Sequence, residues 1–262
     1  MKTEYSLLRE EGGQTINNID GIARAFVEFY TKLLGTKKDS RKHVCSNIIR
    51  AGPIVNKEQR IMFEADFTSV EVKQAPWGID GEKAQGPDRY GNSFFKDYWN
   101  TVGKNLTAGV LEFFVTGKML KALNNKVTTV IPKTKYADKV GDYRPIACCN
   151  TVYKDLVRLY NRKSTTKSCL IKIDLRKAYY YVKWAFVEEM LHALNFPTRF
   201  IKWIMACIST PQYIVTINGG MYEKIIGKKG ASTRGSCITF AVSNMHGISN
   251  KNIQAGYTTR GV

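Results

Sequence analysis

Three observations predict a mixed α+β fold for this chain of 262 residues. Apolar residues recur at three- and four-residue steps over residues 20–35 and again over 94–114, the period of amphipathic helices. A β-branched run at 127–131 closes at Pro132 and reads as a strand. Two further β-rich stretches flank Asn218-Gly219-Gly220, the composition of a hairpin turn. Helices, a strand, more helices and a hairpin in that order make α+β the class.

Taken along the chain, the opening dozen residues look frayed. Asp20 suits the N-cap of a helix whose apolar positions are Ile22, Phe26, Phe29, Tyr30 and Leu33, with Gly35 as its stop. Residues 36–42 read as a charged linker and mark the strongest domain break. Asn56 followed by Gln59 has the spacing of a capping box and opens a short second helix. A third helix is expected to begin near Ser69. Gly86-Pro87-Asp88 is a loop, after which Phe94, Phe95, Tyr98, Trp99, Val102, Leu106, Val110 and Phe114 predict one long helix with a broad apolar face. The strand at 127–131 leads into a basic loop at 133–139. Over residues 170–175, Ile171, Ile173 and Leu175 share one face of a strand while Asp174 lies on the other with Lys172. Val182, Phe186, Met190 and Leu194 continue as a helix that ends before Pro197. Thr198 can cap another helix, which carries Phe200, Trp203, Ile204, Cys207 and Ile208.

Charge narrows the class of partner. The chain holds 40 Lys and Arg against 22 Asp and Glu, a net charge of +18, which is too basic for a typical small-molecule enzyme and suits a polyanion. Between Lys118 and Lys183 stand 16 Lys or Arg against four acids, so this quarter of the chain supplies twelve of those charges. Tyr136, Tyr143, Tyr153, Tyr160 and the three tyrosines at 179–181 are interleaved with them. Aromatic and cationic groups together suit stacking and phosphate contacts, although a solvated basic face would look the same. The six cysteines form no CxxC pair and the three histidines are far apart in sequence, so neither a disulfide framework nor a zinc site is expected. No apolar run approaches the roughly 18–20 residues that span a bilayer, and residues 1–13 do not look like a secretory leader. An intracellular protein, in nucleus or cytoplasm, is the expectation, with no membrane partner.

Three stretches carry a resemblance to a known family. The first is Gly86-Pro87-Asp88 with Phe94-Phe95-Lys96 and Trp99. The second is Val130-Ile131-Pro132-Lys133 followed by Asp142-Tyr143-Arg144-Pro145-Ile146, Cys149-Asn150 and Tyr153-Lys154. The third is Ile173-Asp174-Leu175-Arg176-Lys177-Ala178-Tyr179, followed by Trp184, Phe196-Pro197, Phe200-Ile201, Trp203-Ile204, Val215 and Asn218-Gly219. In order and spacing they resemble the reverse transcriptase of plant non-LTR (LINE-type) retrotransposons. The resemblance implies an RNA-directed DNA polymerase of the right-hand form, and here a partial one: fingers and palm, no thumb and an incomplete palm sheet. On that basis residues 1–42 are an N-terminal helix and linker, 43–165 a fingers-like region with an internal deletion near 154/155, and 166–262 a partial palm.

The resemblance also assigns roles. Asp174 matches the metal-binding carboxylate on the first palm strand, where two Mg2+ ions would activate the primer hydroxyl and neutralise the triphosphate. Read from the residues alone, it could equally be a salt-bridge partner of Lys172 or Arg176. Tyr179 matches the aromatic beneath the incoming sugar, Lys133 and Arg144 fall where fingers residues reach the triphosphate, and Gly235 matches the glycine of a template-side turn. The implied partners are RNA and DNA as template and primer.

Four departures temper these roles. The adjacent Asp pair that completes the family's metal site is absent from the sequence. Lys154 runs straight into residues 155–162, which look like the approach to the first palm strand, where the family has about fifty more residues. Tyr180 stands where the Asp174 motif has a second acid. Residues 230–240 stand in place of a Gly-Leu-Arg-Gln-Gly-Asp-Pro segment, without its acid and prolines. Neither a thumb nor an endonuclease is expected in the chain. The sequence therefore reads as a catalytically inactive, truncated fragment, with Mg2+ not bound productively. The other readings are a non-enzymatic basic module that binds RNA or DNA, and an unstable relic with no function.

Overall fold

The computed structural model describes residues 7–9, 13–35, 43–82, 85–159 and 183–227. Two layers of structure meet at one sheet. Four strands lie in the order β4 (Tyr143–Cys149), β3 (Asn125–Pro132), β5 (Gln212–Ile217), β6 (Gly220–Ile226). β3 and β4 are antiparallel, from Lys126 opposite Cys149 to Pro132 opposite Tyr143, while β3 and β5 run parallel with Thr128 opposite Val215. The sheet thus joins strands from the fingers-like region with strands from the segment assigned to the palm.

Helix α1 (Ile19–Gly35) covers one face of this sheet. Ile22, Phe26 and Tyr30 pack with Val130, Tyr143, Val215, Ile217 and Ile225 in a small core. Phe26 meets the Tyr143 ring edge-on at 5.1 Å. The helix begins one residue before the expected Asp20, and its cap is Asn18, whose Oδ1 accepts the Gly21 amide at 2.5 Å. Two short strands precede it, β1 (Leu8–Arg9) and β2 (Thr15–Ile16). This part of the opening is therefore not frayed: Leu8 is buried in the α1 core and supplies the apolar contact that holds it.

The second and larger core is helical. It draws on α2 (Ser46–Arg50), α3 (Lys57–Glu64), α4 (Ser69–Trp77), α5 (Asn92–Asp97), α6 (Trp99–Thr116), α7 (Thr151–Leu159), α8 (Trp184–Ala193) and α9 (Thr198–Ser209). Its centre is aromatic: Phe67 stacks on Phe114 at 3.9 Å, and Phe114 meets Trp203 edge-on at 5.1 Å. Trp203 Nε1 donates to the Phe114 carbonyl at 3.0 Å, which satisfies the one polar atom the buried indole carries.

Local signals set the helix starts where the sequence carries them. The Asn56–Gln59 pair forms the expected capping box on α3, and Thr68 with Glu71 forms another on α4. Two expectations need correction. Thr198 does not cap α9; Pro197 holds the cap position, its ring fixing the extended entry, and Thr198 is the first helical residue. The long helix after Gly86-Pro87-Asp88 is two helices broken at Tyr98, which lets Trp99 meet Trp77 edge-on at 5.2 Å. Gly103 lies beneath the Trp99 ring, where a Cβ would stand 2.5 Å from Cε2. Residues 151–159 are one continuous helix across the 154/155 junction, because Val152, Tyr153, Leu156 and Leu159 all bury in the helical core; the strand they were expected to approach lies outside the described residues.

The expected hairpin is present as β5 and β6. Asn218 and Gly219 take φ of 47° and 82°, the left-handed pair a two-residue turn demands and the reason an Asn-Gly pair sits there. Lys126 lies at the seam between the two cores. It is buried, with its ammonium 4.8 Å from the centre of the Tyr153 ring and 5.9 Å from that of Tyr213. One ring belongs to each core, so a cation held by aromatic faces joins them.

Candidate nucleic-acid interface

Two of the three stretches that carry the family resemblance meet in space. The Gly86-Pro87-Asp88 loop closes as a turn in which the Arg89 amide donates to the Gly86 carbonyl at 3.0 Å. Gly86 is pressed against Asn150: a Cβ there would stand 2.3 Å from Asn150 Oδ1 and 2.5 Å from its Cα and amide nitrogen. Asn150 Oδ1 accepts the Asp88 amide at 3.3 Å, and its Nδ2 donates to the Ala122 carbonyl at 3.0 Å. The next residue adds a clasp, Thr151 Oγ1 donating to the Tyr90 carbonyl at 3.1 Å. Asn150 also starts α7, since the Lys154 amide donates to its carbonyl at 3.2 Å. Asn92, buried beyond the loop, donates through Nδ2 to the carbonyls of Pro76 and Ile79 at 2.7 and 2.8 Å.

Asp88 sits inside this junction. Burial raises its pKa above the usual carboxylate value, against the pull of the Tyr90 amide, its own amide and the Lys154 charge. Asp88 Oδ1 accepts the Tyr90 amide at 3.1 Å, so its carboxylate shapes the turn. The sequence shows Asn150 as part of the second motif stretch but not its role as the hub. The signal was a short polar residue standing just before an apolar period, a helix-cap pattern.

The β3–β4 tip presents the basic surface. The Lys133 amide donates to the Asp142 carbonyl at 2.8 Å and closes the connection, and the Lys133 ammonium bonds the Gly141 carbonyl within the same loop. Arg144 pairs across the ladder with Ile131 and is exposed. Between them Lys135 lies 5.9 Å from the Tyr136 ring, which stands 83% exposed. The tip is held from behind by β1: the Arg9 amide donates to the Asp138 carbonyl at 2.6 Å, and Arg9 Nε lies 3.7 Å from Asp138 Oδ2. Tyr143 OH donates to the Ala137 carbonyl at 3.0 Å. Burial, then Asp142 and Asp138, raise the Tyr143 pKa and keep it a neutral donor.

Of the sequence-predicted site residues, Lys133 and Arg144 therefore lie together at one end of the sheet. Asp174, Tyr179 and Gly235 lie outside the described residues, as do the strand at 170–175 and the linker near residue 40. Glu189 on α8 ties down the chain before α2: its carboxylate pairs with the His43 ring nitrogen at 3.0 Å and accepts the Val44 amide at 3.1 Å. Among the described residues, no group of three or more His, Cys, Asp or Glu stands close enough to hold a metal ion. No described helix is long and apolar enough to cross a membrane.

No protein-family model matches the sequence. Over 267 aligned positions the chain is 18% identical to the Transposon TX1 uncharacterized 149 kDa protein of Xenopus laevis, an alignment covering 87% of this chain and 20% of that protein. The chain is similar to a transposon-encoded protein. It spans about a fifth of that relative's length. The likeness points to a retrotransposon-related origin, the coarser part of what the three motif stretches imply.

Proposed function

We propose that the chain is the fingers and part of the palm of a reverse transcriptase from a non-LTR, LINE-type retrotransposon, and that it binds RNA and DNA without copying them. The observation that carries the reading is the seat of Gly86 against Asn150. Two stretches more than sixty residues apart, each matching the polymerase family and neither needed by the other for a local turn, interlock at contact distance. Likeness to a transposon-encoded protein supports the same origin.

The tip at Lys133–Arg144 gives the binding half of the proposal its chemistry. An exposed guanidinium can grip a phosphate with two parallel hydrogen bonds, and exposed Tyr136 offers a ring beside Lys135. Log affinity should fall linearly with log salt, each phosphate contact adding a slope of roughly −0.7 to −0.9. Absence of binding at about 50 mM salt, or affinity indifferent to salt, would defeat this reading.

Polymerisation by the 262 residues alone is not expected. Two-metal transfer needs several carboxylates converging on the metals, and of the family's three this sequence holds Asp174. If Mg2+ binds, Asp174 would hold it and the ion would supply charge neutralisation there. Primer extension on an RNA template with Mg2+ or Mn2+, comparing the chain with Asp174→Ala, is the test. Extension abolished by that substitution would overturn the inactive reading and leave the polymerase lineage standing.

A further inference from the structure

Beside the Gly86 loop, three aromatic rings form a column on the surface. Tyr90 lies 4.5 Å from Phe94 and Phe94 lies 5.2 Å from Tyr98, with interplanar angles of 32° at both steps. The ends of the column are open, Tyr90 at 49% and Tyr98 at 56% exposure, while Phe94 between them is half-buried. Two large rings held in water at both ends of one column are not explained by the core, which takes Phe95 from the same helix. Tyr98 sits at the break between α5 and α6.

A cation is held at the same place by a strained backbone. Arg89 is exposed and takes φ of 61°, a left-handed conformation rare for a residue with a side chain. Gly86 and Asp88 enforce it through the turn described above. Arg89 lines an open groove of about 540 Å³ together with Gln85, Tyr90, Ser93 and Phe94. One acid, Glu82, also lines the groove.

We propose that Tyr90, Phe94 and Tyr98 are a stacking platform for an unpaired stretch of nucleic acid, with Arg89 taking the adjoining phosphate. The two exposed rings each accept one base face, and Phe94 fixes their separation. A duplex cannot use such a site, because its base faces are already stacked on one another. A net charge of +18 favours a polyanion over an apolar peptide as the occupant. The proposal rests on the reading of the chain as a nucleic-acid binder and adds to it a surface separate from the β3–β4 tip.

The test uses the full chain with an unpaired oligo-U or oligo-dT carrying 2-aminopurine, and a hairpin duplex of equal length, at about 50 mM salt. Tyr98→Ala and Tyr90→Ala should each weaken unpaired-strand binding on the order of tenfold and change duplex binding less than twofold. Tyr98→Phe should restore the affinity and the quenching of 2-aminopurine, whereas Tyr98→Leu, which keeps apolar bulk without a ring, should not. The salt slope should stay at the parent value in the tyrosine variants and shrink by about 0.7 in Arg89→Ala. Parent-like binding of unpaired strands by both alanine variants, or an equal loss on duplex, overturns the platform alone. A parent chain that binds neither probe overturns the nucleic-acid reading and the platform with it.

Discussion

The loop at residues 86–91 and the β3–β4 tip both carry family-like motifs, yet they are built in opposite ways. The loop is pinned: Gly86 abuts Asn150, Asp88 and Tyr90 are tied to Asn150 and Thr151, and a half-buried carboxylate shapes the turn. The tip projects, with Lys133, Arg144 and Tyr136 exposed and its bonds made mostly within its own loop. The difference separates residues that hold the shape from residues free to meet a partner. Substitutions at Gly86, Asp88 and Asn150, which pin the loop, should be read in stability, and those at Lys133, Tyr136 and Arg144 in affinity.

The largest effect is expected at Gly86. In Gly86→Ala the new methyl would meet Asn150 backbone, which cannot swing aside as a side chain can, so the unfolding free energy measured in urea should fall by about 2–3 kcal/mol and the midpoint with it. An unchanged midpoint would mean that the loop is not pinned at all. Asn150→Ala should follow at about 1–2 kcal/mol, since it strips acceptors and donors from the Asp88 amide and the Ala122 carbonyl. At the tip, Arg144→Ala should leave stability within about 0.5 kcal/mol of the parent while reducing the salt slope of binding by about 0.7 to 0.9. A stability loss like that of Gly86→Ala would erase the contrast between the regions.

The smallest effect sharpens the contrast through pH. Because burial raises the Asp88 carboxyl, the folded state keeps its proton to higher pH than the unfolded chain. Ionisation therefore lowers stability as pH rises through the ordinary carboxylate range up to the raised value, and the deficit is absent below both. Asp88→Asn should match the parent in melting temperature near pH 3 and gain on it towards pH 7. A difference that stays constant across that range would show that burial is not what governs Asp88.

Parts of this architecture were legible because their causes are local. The Asn56–Gln59 capping box depends on residues three apart, and the Asn218-Gly219 turn on two adjacent backbone angles. β4 was not foreseen as a strand: Pro145 interrupts its pattern, and a proline is tolerated there because β4 is an edge among the described strands. The Tyr98 break was hidden too, since the apolar period runs through it; only the Trp77–Trp99 contact, from another helix, asks for it. Lys133 and Arg144 could be named from motifs, but their adjacency comes from the β3–β4 register. The Asn150 hub and the burial of Lys126 depend on partners far away in sequence, where periodicity is silent.

The parallel pairing of β3 with β5 bears on the order in which the molecule can be made. Thr129 and Thr216, which share a hydrogen bond of 2.9 Å between their hydroxyls, are 87 residues apart. A ribosome must therefore synthesise β3 and β4, then α7 through α9, before the strand that completes the middle of the sheet exists. Until then the nascent β3–β4 hairpin has a bare edge and no Tyr213 ring over Lys126. Loop-closure entropy makes that last pairing the slow event, and the growing chain is most open to mispairing or to a chaperone in this interval.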